Sequence, residues 1–264
     1  MLEHDFLVDS WMIDILDQNN KFKIPKDTTR VKIDVGLAGD ACNSAIWLAD
    51  DLNCTVIAIE PQEFCWEHIF QLGSNGYSYK DRGKSTCIDH PNWKIVQLKD
   101  NIVTENNKKV CSIGNRLLKI RTAIDDSKKP HYEKMYNNNV NAGASSLVFV
   151  DNGEFSQEDY QEVPVSSLEF ILDHFPWDRF SYIDHLKTDC ERLDEQAIMG
   201  LGKYLNRIVY ISVEISHNYE FLSWMESNEF NRITNNKFGN VDFVNNKYLD
   251  VISENNIKNL TLGH

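Results

Sequence analysis

Val31 to Asp40, Val-Lys-Ile-Asp-Val-Gly-Leu-Ala-Gly-Asp, constrains the fold of this chain more than any other stretch. Val31, Ile33 and Val35 alternate with polar partners and the run ends abruptly in glycine, the pattern of a buried strand entering a turn. Gly36 and Gly39 supply the turn. From Asp40 to Leu52, Ala41, Ala45, Leu48, Ala49 and Leu52 recur at roughly helical spacing, so the order is strand, glycine turn, helix. Thr55 to Ile59 is almost wholly apolar and completes a βαβ unit. It ends in Glu60, about twenty residues beyond the turn, where a carboxylate accepts from both ribose hydroxyls of a nucleoside.

A nicotinamide fingerprint starting at Gly36 requires glycine where this chain has Ala38 and Ala41, and Gly39 falls outside that register. A turn without further glycines suits a cofactor that lacks a pyrophosphate, because no phosphate pair has to approach the helix start. S-adenosylmethionine is such a cofactor. The competing reading of the turn alone is a βαβ unit whose glycines serve only close packing.

The 264 residues are enough for one substantial core, expected as a single α/β domain over 31–264 with a helical extension over 1–30. In that extension Phe6, Leu7, Trp11, Ile15 and Leu16 fit one amphipathic helix, stopped by Asn19-Asn20 and Pro25, that packs beside the sheet or covers the cleft. A net charge of −13 argues against a nucleic-acid partner, whose phosphates need clustered Lys and Arg. No apolar run reaches about eighteen residues, and Met-Leu-Glu-His-Asp lacks the basic start of a secretory signal, so a cytoplasmic protein without membrane partners is expected. The six cysteines show no Cys-x-x-Cys spacing, which predicts reduced thiols, no disulfide and no structural zinc.

Further along, Glu63 to Leu72 has helical spacing and Ser74 to Pro91 has no apolar period, so the latter is expected as an irregular insertion. Trp93 to Leu98 and Leu117 to Ile124 compete for the third core strand. Leu117 to Asp126 is preferred because it runs into a paired-acid turn. Ser127 to Ala142 is expected as a polar loop, Gly143 to Leu147 as the entry to a short strand, and Val165 to Phe175 as a helix opened by Ser166 or Ser167.

The chemistry is expected on the next strand, Phe180 to Thr188, which puts Ile183, His185 and Lys187 on one face with Asp189 at its end. Asp189, Glu191, Asp194 and Glu195 then gather at the start of a helix running to about Leu205, where the helix dipole favours acids. Ile208 to Ile215 is another strand and carries Glu214 within an apolar run. Phe221 to Met225 opens a last helix, and Glu229 to Ile233 with Val241 to Asn245 form an antiparallel closing pair.

With those residues laid out, the chain resembles the FkbM family of S-adenosylmethionine-dependent methyltransferases. The matches are Ile33-Asp34-Val35-Gly36 with Gly39, Glu60-Pro61, Ala123-Ile124-Asp125, Gly143-Ala144-Ser145-Ser146, Val165 to Leu172, Leu186-Lys187-Thr188-Asp189-Cys190-Glu191 and Val213-Glu214, in the family's order. The resemblance implies a class I methyltransferase fold: a seven-stranded, mostly parallel Rossmann-like sheet with helices on both faces and an antiparallel last strand. It implies O-methylation of a sugar or other small molecule. It also implies that Asp34, Gly36 and Gly39 line the methionine portion of the cofactor, Glu60 the ribose, and Ile124 with Asp125 the adenine, with Asp189 near the transferred methyl. The family usually follows Lys-x-Asp-x-Glu with glycine; here Arg192 stands in that place. A non-catalytic binding module that keeps the cofactor fold is the competing class.

Methyl transfer to oxygen asks a protein mainly to align the acceptor and shelter a cation in a desolvated cleft. His185, Lys187 and Asp189 are the candidates for assisting loss of the acceptor proton. The structural alternatives are a core histidine for His185 and, for Lys187, an ion pair with Asp189 or Glu214. Mg²⁺ held by Asp189, Glu191 and Glu214 is chemically allowed and not favoured. The expected partner is a small-molecule or glycan acceptor.

Overall fold

The computed structural model describes residues 15–37, 51–62, 114–138, 145–215, 218–233 and 240–255, with Met12, Ser44, Trp47, Leu48 and the pairs 93–94 and 109–110. Its main sheet contains β1 (Arg30–Val35), β2 (Cys54–Ile59), β3 (Leu117–Ile120), β7 (Ile183–Thr188), β8 (Ile208–Glu214), β9 (Phe230–Arg232) and β10 (Asn240–Asn245). The spatial order is β9-β10-β8-β7-β1-β2-β3, seven strands in all. All neighbours pair in parallel except β10, which runs antiparallel to β8 and to β9. This is a Rossmann-like α/β sheet.

The central strands are buried along nearly their whole length, as parallel strands covered on both faces must be. Alternation along β1 separates the two sides. Val31, Ile33 and Val35 join the large apolar core with α1 (Leu168–Leu172), α2 (Asp194–Met199) and α3 (Tyr219–Ser227). Lys32 and Asp34 face the other side, where Ser44 and Trp47, both helical, lie over the sheet. Met12, Leu16, Phe22 and Ile24 join the α1 side of the core, and Phe22 N–H donates to His174 O at 3.0 Å. The described part of the N-terminal extension therefore packs against the domain. Its expected helix lies mostly outside the described residues, and at its end Leu16 instead bridges to Phe22.

Leu117 to Asp126 is not one strand. The chain leaves the main sheet after Ile120, and the buried Thr122 hydroxyl donates to Pro164 O at 3.0 Å, steering the chain into a second sheet. There β4 (Ala123–Asp125), β5 (His131–Asn138) and β6 (Phe155–Ser167) lie in the order β4-β6-β5, three strands. β5 occupies the stretch expected to be a polar loop. Its side chains are mostly solvated, and Met135 and Asn138 alone are buried, so backbone pairing to β6 makes the strand without an apolar period.

β6 likewise runs through Val165 to Ser167, where a helix was expected. α1 starts only at Leu168, with Ser167 as the N-cap accepting from Phe170 N–H at 3.3 Å. The helix expected to run to about Leu205 is α2, ending at Met199, followed by a 3₁₀ segment over Gly202–Arg207. α3 is followed by a further helix, α4 (Leu249–Asn255). Trp93–Lys94 pairs in parallel with Lys109–Val110, apart from the main sheet. The segments 63–72 and 74–91 lie outside the described residues. Among those described, no helix is long and apolar enough to cross a membrane, and Cys54 and Cys190 carry free thiols.

Candidate functional site

The chain visits β1, β2 and β3 on one side and then returns to β7 on the other side of β1, so the strand order reverses between β1 and β7. Open α/β sheets bind their ligands outside the carboxyl ends of the strands at such a point. Here the strand ends are knotted together. Asp189 N–H donates to Val35 O and Gly36 N–H to Ile59 O, each at 3.0 Å. Gly36 has φ +78°, and a Cβ there would lie 1.8 Å from Asp189 O, so both the turn and the close approach of β7 require glycine.

A partly enclosed cavity opens over these ends. Gly36, Glu60, Ile124 and Asp189, four of the residues expected in the site, line it together. Ser145, Ser146 and Leu147 close one wall, and the second sheet adds Met135. Glu60 is only 3 % exposed, and one of its carboxylate oxygens accepts from Gln62 N–H at 2.9 Å. Gln62, Thr122 and Met135 also line the cavity and were not singled out in the sequence. The available signals were Gln62 two positions after Glu60, and Met135 as the one long aliphatic side chain in a polar run.

Asp34, Lys187, His185 and Asp125 do not line this cavity. Asp34 is 1 % exposed and accepts from Ser44 Oγ at 2.6 Å and Ser44 N–H at 3.0 Å, anchoring the helix after the glycine turn. Lys187 Nζ sits 3.0 Å from Asp189 and 4.0 Å from Asp34. Burial opposes its charge, but the two carboxylates outweigh that, and the ammonium is held above its ordinary pKa. Lys187 thus fixes the carboxylate of Asp189 at the cavity edge. His185 lies on the same side of the sheet, 3 % exposed, with its ring between Trp47 and Tyr210 at centroid distances of 4.6 and 4.5 Å. It lines neither cavity described here. Asp125, just past Ile124, caps its own turn by accepting from Ser127 N–H at 2.9 Å. Gly39 lies outside the described residues.

A second, more open cleft of about 1390 Å³ adjoins the first, and Glu191 and Leu193 line both. Its wall includes Arg192, Asp194, Glu195 and Glu214. Burial, then the charge and hydrogen bond of Asp189, push the Glu214 carboxyl up to about 7. Burial likewise pushes Asp194 up to about 6, against the hydrogen bond it accepts from Cys190 N–H. The turn between the two spaces is strained: Glu191 has φ +51° and Arg192 φ +87°. Such left-handed backbone in residues with side chains costs of order 1–3 kcal/mol each. Among the described residues, no group of three or more His, Cys, Asp or Glu is arranged to hold a metal ion.

No family model, curated protein or solved structure matches this chain.

The site's own chemistry is that of a partly enclosed pocket with a buried carboxylate at one strand end, an apolar side and a second carboxylate at its inner edge. That combination has the chemistry to take a nucleoside, with Glu60 able to accept from hydroxyls and Ile124, Met135 and Leu147 offering an apolar side. Asp189 lines the pocket and Glu214 the adjoining cleft, so a molecule in the cleft meets in Glu214 a carboxyl able to exchange a proton near neutral pH.

Proposed function

We propose that this protein is an S-adenosylmethionine-dependent O-methyltransferase of the FkbM type with the class I fold, acting on a hydroxyl of a sugar or other small molecule. The observation that carries the reading is Glu60, buried at the end of β2 and lining a cavity at the strand reversal beside Gly36, the tight glycine that ends β1. A carboxylate there binds the ribose, and the turn makes no provision for a pyrophosphate. The strand order and the antiparallel β10 agree with that fold class.

Gly36 and the backbone around Asp189 hold the methionine end, Glu60 the ribose, and Ile124 the adenine. Bound there, the cofactor supplies an electrophilic methyl group. The chain's own task is to orient an acceptor hydroxyl in the adjoining cleft and to take its proton. Asp189, held by Lys187, and its neighbour Glu214 are the groups placed for this. Lys187 acts through Asp189, and His185 supports the sheet beneath.

Calorimetric titration with S-adenosylhomocysteine tests the proposal. Binding is expected, and Glu60→Ala should weaken it by about 10- to 100-fold, since a hydrogen bond to a charged group contributes roughly 1.5–3 kcal/mol. A folded protein that gives no heat and no competition would sink the assignment. Binding without transfer to any hydroxylated acceptor in a broad screen would favour a non-catalytic module instead.

A further inference from the structure

Resting on that reading, we infer that Arg192 selects the acceptor: the open cleft takes a polyhydroxylated molecule bearing one anionic group, a carboxylate or a phosphate, which pairs with this guanidinium. Arg192 is the one cation among the described residues lining the cleft, whose other charged groups are Glu191, Asp194, Glu195 and Glu214. It is exposed and forms no ion pair with any of them. Its charge is therefore available to a ligand.

The backbone holding it is neither relaxed nor loose. Arg192 sits at φ +87°, where glycine would be easier, yet the turn is pinned on both sides. Ser146 Oγ donates to Glu191 O at 2.8 Å, and Cys190 N–H donates to Asp194 Oδ1 at 2.8 Å. Strain over-determined in this way and placed at the mouth of a site is where a functional side chain is to be sought.

The two signs in the cleft then have separate partners. Hydroxyl groups donate to carboxylates such as Glu195 and Glu214, while the planar fork of arginine matches a carboxylate or phosphate through two parallel hydrogen bonds. A neutral polyol leaves the guanidinium unused.

The test uses the full chain, titrated with D-glucuronate, glucose 6-phosphate and D-glucose, with and without saturating S-adenosylhomocysteine. At least one of the two acidic probes is expected to bind about tenfold or more tightly than glucose, the ratio given by about 1.4 kcal/mol. Arg192→Gly should abolish the preference and raise the melting temperature by about 2–4 °C as the strain is relieved. Arg192→Lys should retain part of the preference. Equal binding of acidic and neutral probes, no binding by either acidic probe, or a preference that survives Arg192→Gly each overturns the inference. The S-adenosylhomocysteine signal, read separately, reports on the methyltransferase reading, so the two fail independently. A preference for glucuronate alone or for the phosphate alone identifies which anion the cleft takes.

Discussion

Lys187 shows how a single side chain sets the site. Its ammonium is buried between Asp34 and Asp189 at 4.0 and 3.0 Å, and its side chain is only 9 % exposed. Removing one member of a buried charged group is costly because the others are left uncompensated, typically by about 3–5 kcal/mol. Lys187→Met is therefore expected to lower the urea midpoint markedly, read by circular dichroism. A loss under about 1 kcal/mol would show that Asp34 is satisfied by Ser44 alone. The alternation that put His185 and Lys187 on one face was legible in the sequence, as was an ion pair for Lys187 with either Asp189 or Glu214; the structure chose Asp189. What covers that face was not: Trp47 lies over both His185 and Lys32.

At the scale of elements, the junction of β6 and α1 decides where the second sheet meets the core. β6 has 13 residues, exposed over most of its first half and buried from Val163 to Ser167, and it passes directly into α1. The Ser167 hydroxyl accepts from Phe170 N–H and so satisfies one of the free donors at the helix start. Ser167→Ala should cost about 0.5–2 kcal/mol, seen as a lower melting temperature. The serine cap was visible in the sequence. The strand before it was not, because Val163 and Val165 are buried by pairing with β4 and β5, contacts made by residues about forty and thirty positions away. β5 was missed for the same reason: its neighbours are supplied by β6, and nothing in its own polar run announces them.

For the molecule as a whole, the carboxyl groups around the cleft set the pH response. Glu214 rises from 4.5 to about 7 by partial desolvation together with the charge and hydrogen bond of Asp189, and Asp194 from 3.8 to about 6 chiefly by burial. Native carboxyls raised in this way bind more protons than the unfolded chain between about pH 4 and 7. Their contribution to stability is complete below that window and is lost as pH rises through it. The urea midpoint should accordingly fall between about pH 4 and 7, and Asp194→Asn should flatten the slope. Asp194 is the better probe because it is 3 % exposed, whereas Glu214 is exposed at the cleft and screened by solvent. A midpoint that rises over this range would contradict protonation of the pair.

The strand, glycine turn and second strand ending in Glu60 determined the centre of the sheet, because local periodicity and a tight turn need only their own residues. The central strands were likewise legible as apolar runs, and the antiparallel close as two short strands around Asn-Lys-Phe-Gly-Asn. Tertiary structure alone decided which acids face the cavity. Asp34 was drawn into the core by Ser44 and Lys187, Asp125 into its own turn by Ser127, and Glu60 and Asp189 were left at the cavity. It also decided that the pocket borrows Met135 from a second sheet and that Arg192 sits in left-handed backbone. Both depend on contacts between segments far apart in the chain, and such contacts have no signature in the spacing of residues along it.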